Sequence, residues 1–336
     1  MYKVNDAITG CVNPDELLEV VDHSLQKALD TDRSVGFCLS GGLDSTTLVK
    51  LATRFGRKVD TFSTVFPGTS ADESRYLVDA IDEFVDAHII SPPPPTESDI
   101  ITLMDIQGGP FPSLSLYVQY KLLEYASDYV DVLIDGQGPD ELLCGYIGYQ
   151  STYVKELFKR GYYTKGIKEG LYSLNYHWRD LLKSRYTDNT QFNGTLSDIL
   201  TRDLDTSLDL ELTWLLKTAD YFDMIVESPY TDADVVKYCM DLPYDMKIRN
   251  GTSKWVMRQA TRGLIPESIR NRQTKLGFPA PEPEWMKGPM RDLVLDSLYE
   301  HPVVYKAYIN FLKGKQPYSR IMWQTVCKEL WERSQE

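Results

Sequence analysis

An α/β fold built on a parallel sheet is predicted by three features of the sequence. Short apolar runs alternate with helical stretches from residue 34 to 91, giving strand, helix, strand, helix, strand. The first run stops at a Gly-rich turn that opens a helix, Ser40-Gly41-Gly42-Leu43-Asp44-Ser45. A later apolar run, 130–136, leads into a second such turn at Gly136-Gln137-Gly138-Pro139.

Leu17, Leu18, Val21, Leu25 and Leu29 recur at helical spacing after Asn13-Pro14, which predicts a helix over 14–30 with His23 on its exposed side. Residues 34–40 read as a buried strand and 43–56 as a helix closed by Gly56. A second strand is expected at 58–66, a helix at 72–85 and a third strand at 87–91. Pro92 to Pro95 cannot sit inside a helix or a central strand and read as a stiff surface connector. A helix within 113–129 precedes the strand at 130–136. Beyond about residue 150 the pattern turns helical, most clearly at 211–222 and 253–263. Residues 151–210 are rich in Tyr, Lys and Asp and read as loosely packed helices over a site. No internal repeat or low-complexity tail interrupts this single body.

The 336 residues are 42% hydrophobic and 25% charged, ordinary values for a globular chain. The formal net charge of -13 argues against DNA or RNA as the main partner. Five scattered cysteines with no CxxC pair argue against a zinc site or a disulfide framework and favour a reducing, cytoplasmic location. The first residues carry charges and no apolar segment, and no run approaches a membrane span, so neither a signal peptide nor a membrane partner is expected. Oligomeric state is left open, a homo-oligomer included.

The first turn carries the clearest chemistry. Glycines after a strand let backbone N–H groups approach an anion, and the helix N-terminus adds a field that favours phosphate. Ser40, Ser45 and Thr46 add hydroxyl donors. Asp44 is out of place beside phosphates unless it holds Mg²⁺ between them. GxxxxGK[ST] and GxGxxG are both absent, which excludes a Walker loop and a dinucleotide fingerprint. The same residues also suit an ordinary strand-to-helix turn. In the second turn Asp140 and Glu141 start a helix, and parallel strands deliver their C-terminal ends to one edge, so Asp44 and Asp140 are expected to converge on one metal ion. An ordinary helix start is the alternative there. Residues 247–278 gather Lys254, Arg258, Arg272 and Lys275, with Lys254 and Arg258 on one helix face. Such cations either are solvated surface or stabilise charge at an α-phosphate during adenylate formation. Cys144 is expected to be packing.

With these three elements in place, the sequence resembles the synthetase domain of asparagine synthetases, a family that also includes β-lactam synthetases and lasso-peptide cyclases. The likeness covers roughly residues 14–290 and is strongest at Ser40–Ser45, Gly136–Tyr146 and Lys254–Phe278. The resemblance implies a PP-loop, adenine-nucleotide α-hydrolase-like fold, with residues 1–150 as the nucleotide-binding part and 151–336 as a helical part completing the active site. It implies ATP and Mg²⁺ as cofactors and an AMP-forming amide ligase: a carboxylate attacks the α-phosphate, pyrophosphate leaves, and ammonia or an amine displaces AMP. Leu39, Ser40, Gly41, Gly42, Leu43, Asp44, Ser45, Gly136 and Gln137 then bind the nucleotide, with adenine near Leu39 and the strand at 62–66. Asp44 and Asp140 resemble the magnesium-linked aspartates. Lys275 resembles the lysine that stabilises adenylation and acyl transfer, and Lys254, Glu141 and Tyr146 are further catalytic candidates.

The sequence departs from that family's asparagine enzymes at several points. The synthetase part starts almost at Met1 and Cys11 lacks the context of a glutaminase nucleophile, so nitrogen is expected from free ammonia, an amine or a separate glutaminase. Gln137 stands in place of a glutamate, and a neutral amide is no general base. Asp135 replaces a serine, Glu227 an arginine, and Arg272 to Lys275 is one residue longer. The nucleotide half looks intact and the acceptor half rebuilt, which implies a different carboxylate or amine, small molecule or peptide. A ring-closing reaction is one such alternative, with Tyr146 or Tyr149 paired with Glu141 for proton transfer, unless those tyrosines only pack.

Overall fold

The computed structural model describes residues 4–184, 194–273 and 279–336, the first stretch by backbone alone from 175 onward. In chain order α1 (Asp15–Leu29) leads to β1 (Val35–Cys38), α2 (Leu43–Thr53), β2 (Val59–Thr64), α3 (Ser74–Ala80) and β3 (Val85–Ile90). Helices α4 (Glu97–Gln107) and α5 (Ser115–Ala126) precede β4 (Val132–Ile134). Then come α6 (Pro139–Leu142), α7 (Ile147–Lys159), α8 (Tyr163–Ser184), α9 (Leu196–Asp203), α10 (Asp209–Tyr221) and β5 (Ile225–Glu227).

The five strands form one all-parallel sheet in the order β3-β2-β1-β4-β5. Strand side chains alternate between faces. Val132 and Ile134 therefore join the core that holds Leu17, Val21 and Val49, while Leu133 joins Leu122, Leu123 and Leu215 on the other face. Helices cover both faces, as a sheet buried on both sides requires. The expected parallel-sheet α/β fold is borne out.

The C-terminal part is largely helical: α11 (Ala233–Asp241), α12 (Tyr244–Lys247), a small hairpin of β6 (Ile248–Arg249) and β7 (Thr252–Ser253), then α13 (Trp255–Ala260) and α14 (Glu267–Arg270). Helices α15 (Glu282–Lys287), α16 (Arg291–Ser297), α17 (Pro302–Leu312) and α18 (Arg320–Ser334) finish the chain and build a second core with α4 and α5 around Trp323. Among the described residues no helix is long and apolar enough to cross a membrane.

Three elements differ from the sequence reading. The helix expected over 72–85 is only α3. Asp82 accepts from the Phe84 N–H and pairs with Lys50 at 2.6 Å, which fixes a turn, and the chain enters β3 at Val85. Helix α4 was not expected; Thr96 and Asp99 start it with a reciprocal capping box. Strand β5 comes from beyond residue 150 and is too short, at three residues, to show a period.

Candidate active site

In a sheet ordered 3-2-1-4-5 the chain leaves β1 and β4 in opposite directions, which opens a crevice at their carboxyl ends where ligands bind in such sheets. Both Gly-rich turns lie there. A Cβ on Gly136 would stand 3.3 Å from the Ser45 backbone nitrogen, so the two turns are packed against each other.

The first turn is held by its own serines. The Ser40 and Ser45 hydroxyls lie 3.0 Å apart, the Ser40 N–H donates to Ser45 Oγ, and the Gly42 N–H donates to Ser40 Oγ. Gly41 has φ 70° and its missing Cβ would stand 2.6 Å from the Leu77 nitrogen, so only glycine fits. Leu43, Asp44 and Ser45 form the first turn of α2, whose N–H groups have no acceptor within the helix and face an anion favourably. Leu39 itself is 1% exposed, and Ser63 donates to its carbonyl.

The two acids expected to converge do so, on a lysine. The Lys254 ammonium lies 2.8 Å from Asp44 Oδ2 and 2.7 Å from Asp140 Oδ1. Lys254 and Asp44 are buried, whereas Asp140 keeps a quarter of its side chain exposed. Lys254 does not share a helix face with Arg258 as the spacing predicts. It is the residue before α13, in the left-handed region with φ 53°, which aims its side chain back at the crevice. A non-glycine residue there costs roughly 1–2 kcal/mol, and such strain gathers at functional sites. The Lys254 N–H donates to the Leu143 carbonyl, tying this backbone to the acidic turn. Fully buried Lys247, which no sequence signal marks, donates to the Leu142 and Cys239 carbonyls and holds the same turn from behind.

Gly145 is decided by this contact. A Cβ there would stand 1.8 Å from Asp140 Oδ1 and 2.6 Å from Lys254 Cε. Gly145→Ala should therefore push Asp140 off the lysine and lower turnover about a hundredfold with little change in circular dichroism. Unchanged turnover would make the Asp140–Lys254 contact dispensable.

Glu141 is buried and accepts from the Tyr146 hydroxyl at 2.6 Å. Burial pushes its carboxyl above the usual carboxylate range, and burial together with Glu141 raises the Tyr146 phenol. Because the folded protein holds the Glu141 proton more tightly than the unfolded chain, this stabilisation is full below the unfolded value of about 4.3. It is lost as pH rises through the raised folded value. Glu141→Gln should flatten that limb, so melting temperatures of wild type and variant should diverge between acid and neutral pH; parallel curves would contradict a raised Glu141.

Among the described residues of the basic segment, Lys254, Arg258 and Arg272 are not solvated surface. Arg258 donates to the Ser253 and Arg270 carbonyls, and burial lowers its guanidinium to about 10 while Asp44 and Asp140 work the other way. Arg272 pairs with Glu73 and lies 3.8 Å over the Tyr76 ring, beside the first turn. Lys275 lies outside the described residues. Asp135 accepts from the Gln137 N–H at 2.9 Å, so it shapes the turn, and Gln137 Oε1 is buried without a partner among the described residues. Cys144 is fully buried packing, as expected. Tyr149 donates to Asp203, and the Tyr230 hydroxyl donates to the Asp44 carbonyl, a support with no local signal in the sequence.

The family model described as asparagine synthase matches residues 16–333. The chain belongs to the asparagine synthase family. Similar relatives include asparagine synthetase (glutamine-hydrolyzing) 1 of Bacillus subtilis (strain 168), 24% identical over 94% of this chain and 58% of the relative. A putative asparagine synthetase (glutamine-hydrolyzing) of Mycobacterium tuberculosis (strain ATCC 25618 / H37Rv) is 26% identical over 94% of this chain and 57% of its own length. A putative asparagine synthetase (glutamine-hydrolyzing) 2 of Methanocaldococcus jannaschii is 35% identical over 38% of this chain. The chain thus spans somewhat over half the length of the first two relatives. The expected kinship with the synthetase part of asparagine synthetases is borne out, and the asparagine synthase match takes in both Gly-rich turns and Lys254.

Proposed function

We propose that this chain is an ATP-dependent, AMP-forming amide ligase that adenylates a carboxylate and passes the acyl group to ammonia or an amine. The observation that carries the reading is the Asp44–Lys254–Asp140 cluster at the carboxyl ends of β1 and β4. Residues 1–150 supply most of the nucleotide side of the crevice and residues 151–336 close it.

The donor set fits Mg²⁺, which takes one or two carboxylates and fills its shell from phosphates and water. Asp44 and Asp140 already converge on one ammonium, so they would hold the metal beside it, and bound Mg²⁺ would neutralise charge on the phosphates. The amides of Leu43, Asp44 and Ser45 orient the departing pyrophosphate, with Ser40, Gly41, Gly42 and Gly136 shaping its cradle. Lys254 and Arg258 supply fixed positive charge as negative charge builds at the α-phosphate. Lys275 takes the oxyanion role on the family resemblance. Glu141, raised by burial and bonded to Tyr146, suits a proton acceptor for the incoming nitrogen. Gln137 Oε1, buried without a partner among the described residues, would accept from an N–H of that nucleophile. This favours an amine, or ammonia delivered by a separate glutaminase, over a Gln137-activated attack, and leaves both a small molecule and a peptide as carboxylate.

[γ-³²P]ATP with a panel of amino acids and short peptides, plus ammonium or amines, tests the reading. Labelled pyrophosphate, with unlabelled AMP beside it, should appear only with the right carboxylate. Labelled inorganic phosphate would overturn adenylation.

A further inference from the structure

Over residues 163–174, helix α8 is amphipathic the wrong way round for a surface helix. The face it turns to the protein is small and polar. Glu169 accepts from the Asn250 and Gly251 N–H groups at 3.0 and 2.8 Å, Ser173 donates to Gln150, and Gly166 packs beneath Phe158. Its outer face carries Tyr163, Ile167, Leu171 and Leu174, which are 62%, 55%, 59% and 51% exposed. Their spacing of four, four and three residues makes one continuous ridge. Phe158 and Tyr162, 40% and 44% exposed, extend it toward α7. Scattered surface leucines need no explanation, but a contiguous stripe whose helix is anchored by its other face does.

The charges around the ridge are one-sided. Between 151 and 174 both acids, Glu156 and Glu169, are buried. Lys155, Lys159 and Lys168 are exposed and make no ion pair among the described residues. This is a basic border in a chain of net charge -13. A second copy would set its lysines against these lysines. A straight apolar ridge takes another helix along its groove. We propose that the outer face of α8 over residues 163–174 is a docking surface for an acidic amphipathic helix of another protein. Its ridge uses no residue assigned to the crevice and does not depend on the ligase reading.

The test uses the full chain and a fluorescent synthetic helix of alternating leucine and glutamate faces. Controls are its scrambled isomer and a leucine/lysine counterpart. Anisotropy should show the Leu/Glu helix binding at least about tenfold more tightly than either control. Ile167→Glu with Leu171→Glu should weaken it about tenfold or more, and Lys159→Glu with Lys168→Glu should transfer the preference to the Leu/Lys helix. All four positions are exposed and none is assigned to the crevice, so melting temperature and turnover should not move. No binding of the Leu/Glu helix, or equal binding of the Leu/Lys helix, would overturn the proposal. So would a dimer in sedimentation, or flotation with phosphatidylserine vesicles, that the Ile167/Leu171 variant abolishes.

Discussion

Lys254→Met is expected to lower pyrophosphate release by about two to three orders of magnitude, because it removes a buried cation that both acids contact. The change should also lower stability. Breaking a buried ion pair by deleting one partner typically costs about 3–5 kcal/mol, since the remaining charges stay desolvated. The lower end applies, because Asp140 is a quarter exposed and water can reach it. Methionine keeps the length of the side chain, so packing loss is small. The diagnostic measurement is a melt of nucleotide-free protein against Mg²⁺. With the ammonium gone, Asp44 and Asp140 are left to take the metal, so Mg²⁺ should raise the melting temperature of the variant more than that of wild type. Lys254→Gly separates charge from backbone: glycine relieves the φ of 53° yet should be as inactive as methionine. An active glycine variant would mean that the ammonium is not required.

Asp44→Asn is the second large effect. Asparagine keeps the shape and one acceptor oxygen but cannot bring negative charge to a metal. Lys254 retains Asp140, so the fold should melt within a few degrees of wild type. Pyrophosphate release should fall by at least about a hundredfold, and raising Mg²⁺ should recover little of it. Thermal stabilisation by ATP with Mg²⁺ should shrink, while stabilisation by ATP alone should change less. Unchanged turnover would remove Asp44 from the metal assignment. Asp140→Asn offers a graded comparison, since its carboxylate is more exposed and its loss leaves the buried Asp44–Lys254 pair intact.

The sequence by itself determined the parallel α/β frame and the two turns at its working edge. Those signals are local: apolar runs of four to six residues, and glycines where a strand meets a helix, report on nearby backbone alone. Asp44 and Asp140 could be paired from topology, because parallel strands point their ends the same way. Only the tertiary structure decided what stands between them. Lys254 lies far along the chain, and its left-handed backbone breaks the helical spacing that sequence reasoning assigned it. Tyr230 and Lys247 are likewise residues with no local signature that act through distant carbonyls. Strand β5 escaped because three residues hold no period, and the outward stripe of α8 because apolar residues at helical spacing look the same in sequence whether they face inward or outward. Which face is buried depends on neighbours that the chain brings together only on folding, Asn250 and Gly251 against Glu169 among them.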